Sequence, residues 1–117
     1  MNEVGKIYER PWGTYRTIEQ RDNYQIKHIT VKPGKRLSLQ YHHHRDEHWT
    51  LIKGKGVVQL NDVSVKLAVN QYMFIPKKAH HRMTNDTDEV LEFIEIQVGD
   101  YLGEDDIVRV EDDFGRV

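Results

Sequence analysis

Hydrophobic and polar residues alternate over short segments of this chain, which is the pattern of half-buried β-strands. The clearest segment is Tyr24–Val31 (YQIKHITV), and Pro33-Gly34 ends it. Further strand-like segments follow between turn signals, at 36–44, 49–52, 57–60, Val63–Leu67, Tyr72–Ile75 and 90–98. Short strands at regular spacing predict a sandwich or a barrel.

The composition favours the same fold class. The chain has 12 Val and 9 Ile but only 2 Ala. β-Branched residues suit pleated sheets, whereas alanine is the best helix former. Residues 102–110 have room for one helical turn, but their Gly-Glu-Asp-Asp cluster is more typical of a loop. With 117 residues and no internal linker, we expect one all-β domain over residues 1–117.

Charge and the missing cysteines exclude several classes of protein. The formal net charge is −2, whereas nucleic-acid-binding domains usually carry a basic excess. There is no cysteine, so a disulfide framework, a thiolate metal site and a cysteine nucleophile are excluded. No apolar run is long enough for a transmembrane helix, and the first residues lack the layout of a signal peptide. We therefore expect a cytoplasmic protein that binds neither nucleic acid nor membrane.

Histidines concentrate in two places, around residues 42–48 and at 80–81. Side chains two residues apart on a strand face the same side, so Gln40 and His42 are expected to be neighbours. A short turn would return Glu47 to that side, and His81 would close the site from a distant hairpin. Imidazole, carboxylate and amide groups suit one divalent metal ion. We expect zinc first, with manganese, cobalt or iron as alternatives.

The spacing of these residues resembles the two sequence motifs of the cupin superfamily. The first is Gly34-x5-Gln40-x-His42-x4-Glu47-x6-Gly54, and the second is Asn70-x5-Pro76-x-Lys78-x2-His81-x3-Asn85. Asn70 and Lys78 stand where the general motif prefers glycine. The first motif usually opens with His-x-His, and Gln-x-His is the pattern of metal-dependent phosphomannose isomerases. The resemblance implies a cupin fold, a double-stranded β-helix or jelly-roll-like barrel.

Longer segments resemble the type II mannose-6-phosphate isomerase cupin. They include Arg10-Pro-Trp-Gly-Thr-Tyr15, Leu37-Ser-Leu-Gln-Tyr-His-His-His-Arg45, Glu47-His-Trp49 and Asp112-Asp-Phe-Gly-Arg116. In that family the cupin is often the C-terminal half of a bifunctional enzyme whose other half is a GDP-mannose pyrophosphorylase. No Gly-rich nucleotide loop occurs in this sequence. The resemblance therefore implies interconversion of mannose 6-phosphate and fructose 6-phosphate, without the nucleotide-sugar activity.

Aldose–ketose isomerisation needs a base and phosphate-binding groups beside the metal. His44 is our candidate base, because a continuing strand would point it to the same side as His42. Glu92 and Glu95 on the long segment 90–98 compete for this role. For the sugar phosphate we expect contacts from Lys27, Arg36, Ser38, Arg109 and Arg116, since arginine binds phosphate in a bidentate manner.

Two other functions stay open from the sequence. One is a different cupin enzyme, such as a sugar epimerase or a metal dioxygenase, and the other is a non-enzymatic module that binds a sugar or a metal. Gln40 favours the isomerase, because neither alternative predicts it. We also expect a homodimer, because an unpaired sheet edge is a liability that small cupins often remove by pairing.

Overall fold

The computed structural model describes residues 2–117, which form eleven β-strands and one 3₁₀ turn, Glu104–Asp106. The strands are β1 (Ile7–Arg10), β2 (Gly13–Gln20), β3 (Tyr24–Val31), β4 (Leu39–Tyr41), β5 (Arg45–Lys53), β6 (Gly56–Leu60), β7 (Val63–Leu67), β8 (Tyr72–Ile75), β9 (His81–Thr84), β10 (Leu91–Gly99) and β11 (Val108–Glu111). No helix in this part of the chain is long and apolar enough to cross a membrane. The predicted all-β fold class is confirmed.

The strands form two antiparallel sheets, in the orders β1-β2-β3-β10-β5-β8 and β11-β4-β9-β6-β7. Their inner faces meet in one hydrophobic core. Trp49 and Phe93 come from the first sheet, and Val58 and Met83 come from the second. All four side chains are at most 1% exposed, so the two sheets pack face to face as the layers of a barrel.

Most of the predicted strands are present, and three of them (β3, β7 and β8) have the predicted bounds. The predicted strand over 36–44 is too long, because only Leu39–Tyr41 pairs as β4. Beyond this strand the amide groups of His43 and His44 bond the side chain of Asp106 rather than a neighbouring strand. Strands β1, β2, β9 and β11 were not predicted.

The inner face of the first sheet changes from apolar to polar halfway along its strands. On β10, Leu91 and Phe93 are followed in the same phase by Glu95 and Gln97, and all four are buried. Across the register, Glu95 lies opposite Lys27 of β3. Because buried polar groups cost free energy unless they have partners, this polar half of the barrel is the place to look for a functional site.

Candidate metal centre

Three side chains bring their ligand atoms together in the polar half of the barrel. His42 follows β4, Glu47 lies on β5, and His81 begins β9. The Nε2 atom of His42 lies 3.2 Å from Nε2 of His81 and 3.0 Å from a carboxylate oxygen of Glu47. The other oxygen of Glu47 lies 3.7 Å from Nε2 of His81. All three side chains are buried, and we call this cluster the His–His–Glu centre.

Both imidazole rings turn Nε2 toward this centre because their Nδ1 atoms bond backbone carbonyl groups. His42 Nδ1 donates to the carbonyl of Asp106, and His81 Nδ1 donates to that of Ala79, each at 2.9 Å. A carbonyl oxygen can only accept, so Nδ1 carries the proton and Nε2 presents a lone pair. At metal–ligand distances of about 2.0–2.2 Å, ligand atoms on one ion lie roughly 3–3.5 Å apart. The centre therefore fits one divalent metal ion.

The fourth predicted ligand, Gln40, lines the same cavity. It lies opposite His81 in the register of β4 and β9. Its amide nitrogen donates to the hydroxyl oxygen of Ser38 at 2.9 Å, so its carbonyl oxygen is the atom that a metal would take. Ser38, predicted to bind substrate, also lines this cavity.

Glu47 is held in its ionised form by two donors on its own strand. Arg45 Nε and Trp49 Nε1 each donate to one of its carboxylate oxygens at 2.9 Å. Burial opposes ionisation, but the charge of Arg45, together with the weaker influence of the neighbouring histidines, outweighs burial and holds the pKa of Glu47 well below its usual range. By contrast, burial lowers the pKa of His81 to about 4. A neutral imidazole and an ionised carboxylate are the forms that bind a metal.

Basic side chains line the cavity that opens from this centre. Lys27, Arg109 and Arg116 were predicted to bind substrate, and all three line it. Arg10 and Arg45 line it too, although neither was predicted. A signal for Arg45 was present, because it is in phase with the buried residues of its strand. The alternation of hydrophobic and polar residues gave no indication that Arg10 would line the cavity. Only the fold places this residue, from the N-terminal part of the chain, beside it.

Two of these guanidinium groups have a buried nitrogen without a hydrogen-bond partner among the described residues, Arg45 Nη1 and Arg109 Nε. Burial, followed by the charge of Arg116, lowers the pKa of Arg109. The positive charges therefore crowd one another, and a bound anion would relieve this repulsion. Lys27 and Arg116 already have such partners. Lys27 Nζ lies 2.7 Å from the carboxylate of Glu104 at the rim of the cavity, and Arg116 Nε lies 2.7 Å from that of Asp112.

Glu95 contributes a carboxyl group to the cavity. Burial, followed by the charge of Glu47, raises its pKa to about 8. One of its oxygens accepts a hydrogen bond of 2.7 Å from Gln97, whose own oxygen accepts from Gln25 at 2.9 Å. Gln25 in turn accepts from the hydroxyl of Thr17 at 3.2 Å. This buried chain of side chains, each donating toward Glu95, fixes the orientation of the carboxyl group.

His44 lies outside the cavity, and our expectation that it faces the same side as His42 is wrong. Its side chain is 53% exposed, with Nδ1 3.8 Å from a carboxylate oxygen of Asp100, and its ring meets Tyr101 edge-on. The physical reason is that β4 ends at Tyr41. The alternation of side chains therefore does not continue through the turn.

Arg36 and Glu92 are also directed away from the cavity. The expectation that Arg36 shares a face with Ser38 fails because Arg36 precedes β4 and makes only an isolated bridge to Thr84. Its guanidinium group bonds Asp113 on the surface, at 2.7 and 2.8 Å. Glu92 lies one position out of phase with Phe93 and bonds His28 at 2.7 Å.

A barrel of two antiparallel sheets that carries a His–His–Glu centre at one end is a cupin, also called a double-stranded β-helix. An uncharacterized conserved protein with a double-stranded β-helix domain from Klebsiella pneumoniae has the same fold, with a TM-score of 0.74, 14% identity, and coverage of 96% of this chain and 90% of that chain. A cupin-2 domain protein from Rhodospirillum rubrum has a TM-score of 0.72 and 18% identity, with coverage of 86% and 76%. The predicted cupin fold is confirmed.

The family model described as Mannose-6-phosphate isomerase C-terminal matches residues 2–112, and the chain belongs to this family. The alginate biosynthesis protein AlgA of Pseudomonas aeruginosa is 51% identical over 107 residues, which are 92% of this chain and 22% of that protein. The chain spans 22% to 24% of the length of the curated relatives that it matches first. The resemblance seen in the sequence is thereby confirmed.

Proposed function

We propose that this chain is a metal-dependent isomerase that interconverts mannose 6-phosphate and fructose 6-phosphate. The observation that carries the proposal is the content of one cavity, which combines the His–His–Glu centre, the carboxyl group of Glu95 and a group of cations. These are the three chemical components that an aldose–ketose isomerase of a sugar phosphate needs. The family to which the chain belongs supports mannose as the sugar.

The metal would be held by His42, Glu47 and His81, with the carbonyl oxygen of Gln40 beside them. When bound, a divalent ion polarises the sugar carbonyl and stabilises the negative charge that develops on its oxygen. The ligand set is a mixture of nitrogen and oxygen donors, like those of catalytic centres that keep a position for substrate.

Glu95 is the residue that would move the proton, in place of His44. In the forward direction it takes the proton from C2 of the aldose and returns it to C1, while O1 gains a proton and O2 loses one. A carboxyl group with a pKa near the working pH can both accept and release this proton. Burial gives Glu95 such a pKa, about 8, and the bond from Gln97 directs one of its oxygens.

The phosphate group would bind among the cations, at Lys27, Arg109, Arg116 and Arg10. Charge-assisted hydrogen bonds to phosphate are about twice as strong as neutral ones. The unpartnered Nε of Arg109 and Nη1 of Arg45 are donors that a bound substrate can satisfy. Because buried donors without partners are costly, they favour a ligand rich in oxygen atoms.

The test is a coupled assay of the purified 117-residue chain after removal of metal and reloading with zinc, manganese, cobalt or iron. We expect turnover of mannose 6-phosphate that a chelator abolishes, and no turnover of unphosphorylated mannose. His42→Ala and His81→Ala should lose both metal and turnover, whereas His80→Ala, at an exposed neighbouring position, should keep both. A chain that binds metal and sugar phosphate without turnover would instead be a binding module.

A further inference from the structure

Asp106 forms three hydrogen bonds with the segment that carries His42. Its carbonyl oxygen accepts from His42 Nδ1 at 2.9 Å. Its two carboxylate oxygens accept from the backbone amides of His43 and His44, each at 3.0 Å. The side chain is buried although it lies on a 3₁₀ turn, and its partners are 62 to 64 residues away in the sequence.

The two carboxylate bonds replace the strand pairing that is lost where β4 ends. After Tyr41 the chain must reverse within a few residues, so that the side chains of both His42 and Glu47 reach the His–His–Glu centre. The amides of His43 and His44 consequently leave the sheet, and the carboxylate of Asp106 replaces a neighbouring strand as their acceptor. The two oxygens of one carboxylate satisfy both amides and hold the turn in a single conformation.

The carbonyl of the same residue selects the tautomer of His42. A proton on Nδ1 leaves Nε2 as the metal-binding atom, and the direction of the bond fixes the plane of the ring. The other histidine does not need this remote support, because the partner of His81 is Ala79, only two residues away. The 3₁₀ turn is itself anchored on its other side, where Glu104 bonds Lys27 at 2.7 Å.

The geometry points to Asp106 as the positioning residue of the metal centre, which sets the tautomer, ring plane and backbone position of His42. This inference rests on the metal-dependent function proposed above. It predicts that the affinity for metal depends on a residue that contributes no ligand atom. Loss of such supporting bonds lowers metal affinity by about 10–100-fold in other proteins.

The experiment compares Asp106→Ala and Asp106→Asn with the parent chain and with Asp105→Asn. Asp105 is the matched control, because it belongs to the same 3₁₀ turn but bonds Tyr101 rather than the histidine segment. The affinity for Zn²⁺ is measured by competition with a chromogenic chelator, and the ligand geometry by the visible spectrum of the Co²⁺-loaded chain. Thermal unfolding of each metal-free variant reports separately on the fold.

Asp106→Ala keeps the backbone carbonyl but removes both carboxylate bonds that hold the turn, so His42 would no longer be kept in line with that carbonyl. We expect this variant to bind Zn²⁺ about 10–100-fold more weakly and to change the Co²⁺ spectrum, while Asp105→Asn matches the parent. Asp106→Asn keeps one acceptor oxygen and should show a smaller loss of Zn²⁺ affinity. If the alanine variant does not fold, the Zn²⁺ affinity of Asp106→Asn tests the role of Asp106. A folded Asp106 variant with the parent's Zn²⁺ affinity and Co²⁺ spectrum would overturn the role of Asp106. A parent chain that takes up no divalent metal would instead overturn the proposed function.

Discussion

Single residues on one strand take opposite roles according to their phase. Glu95 points into the barrel, where burial raises its pKa to about 8. Glu92 points outward and bonds His28 on the neighbouring strand at 2.7 Å. The two side chains have the same chemistry, so the phase of β10 alone decides which carboxyl group reaches the cavity.

This contrast gives a prediction for catalysis. Glu95→Gln should lower turnover of mannose 6-phosphate by about 10²–10⁴-fold, since general acid–base catalysis contributes that much. The amide is close in size to the carboxyl group but cannot transfer the proton, and metal uptake should be kept because Glu95 lies outside the His–His–Glu centre. Steady-state kinetics and metal analysis check both points.

The matched control is Glu92→Gln, which changes the outward carboxyl group of the same strand and should leave turnover at the parent level. Full activity in a metal-loaded Glu95→Gln variant would contradict the assignment. The proton-transfer role would then belong to another group in the cavity.

At the level of elements, an ion pair between Asp112 and Arg116 closes a turn within the segment that follows β11. Asp112 accepts bonds of 2.7 and 2.9 Å from the guanidinium of Arg116, and one of 2.8 Å from its backbone amide. The side-chain hydrogen bonds from Arg116 hold the pKa of Asp112 at about 2, below its ordinary value of 3.8. Because Arg116 also lines the cavity, this ion pair holds a residue of the C-terminal segment in place at the site.

The lowered pKa of Asp112 determines how the stabilisation from its ion pair with Arg116 depends on pH. A carboxylate with a lowered pKa in the folded state stabilises the fold fully above its unfolded pKa. That contribution is lost as the pH falls from 3.8 through about 2. Urea unfolding of the parent and of Asp112→Asn should differ by a constant free energy at neutral pH, and the difference should shrink toward zero across this window. A difference that does not vary with pH would contradict the prediction.

For the whole molecule, the outer face of the six-stranded sheet is unusually apolar. A row of side chains crosses it from Phe74 on β8 through His48 on β5 and Ile96 on β10 to Ile26 on β3. Phe74 is 46% exposed, Ile96 is 37% exposed, and Tyr72 on the edge strand is 73% exposed. An apolar patch on a sheet face that is otherwise expected to be polar marks an interaction surface.

We expect a second copy of the chain to cover this face, which would give the predicted homodimer an interface between sheet faces instead of the sheet edges first expected. A standard interface takes roughly 800 Å² from each partner, so this row would form its apolar centre and the surrounding polar side chains its rim. Light scattering at micromolar concentration should give twice the chain mass of 13.9 kDa.

Charged substitutions locate the interface. Phe74→Lys and Ile96→Lys should yield monomers, because burying an unpaired charge is costly. Val63→Lys, at an exposed apolar position on the other sheet, should remain dimeric. A monomeric parent would refute the dimer, and dimeric Phe74→Lys and Ile96→Lys variants would move the interface elsewhere, such as to a sheet edge.

Local patterns in the sequence already predicted seven of the eleven strands and the ligand set of the candidate metal centre. Alternation depends only on neighbouring residues, so β3, β7 and β8 could be predicted with their bounds. The spacing of Gln40, His42 and Glu47 and the separate His81 likewise indicated one ligand set, and the family-like segments indicated the substrate class. The inward phase of Lys27 and Glu95 was also present in the alternation.

Only the tertiary structure decided which polar groups share the cavity with that ligand set. His44 and Arg36 leave it because alternation stops where a strand stops, and the segment after β4 bonds Asp106, more than sixty residues away. Arg10 and Arg116 enter it from opposite ends of the chain. No local pattern encodes such convergence, because it depends on how two sheets close around a core and not on any residue's neighbours in sequence.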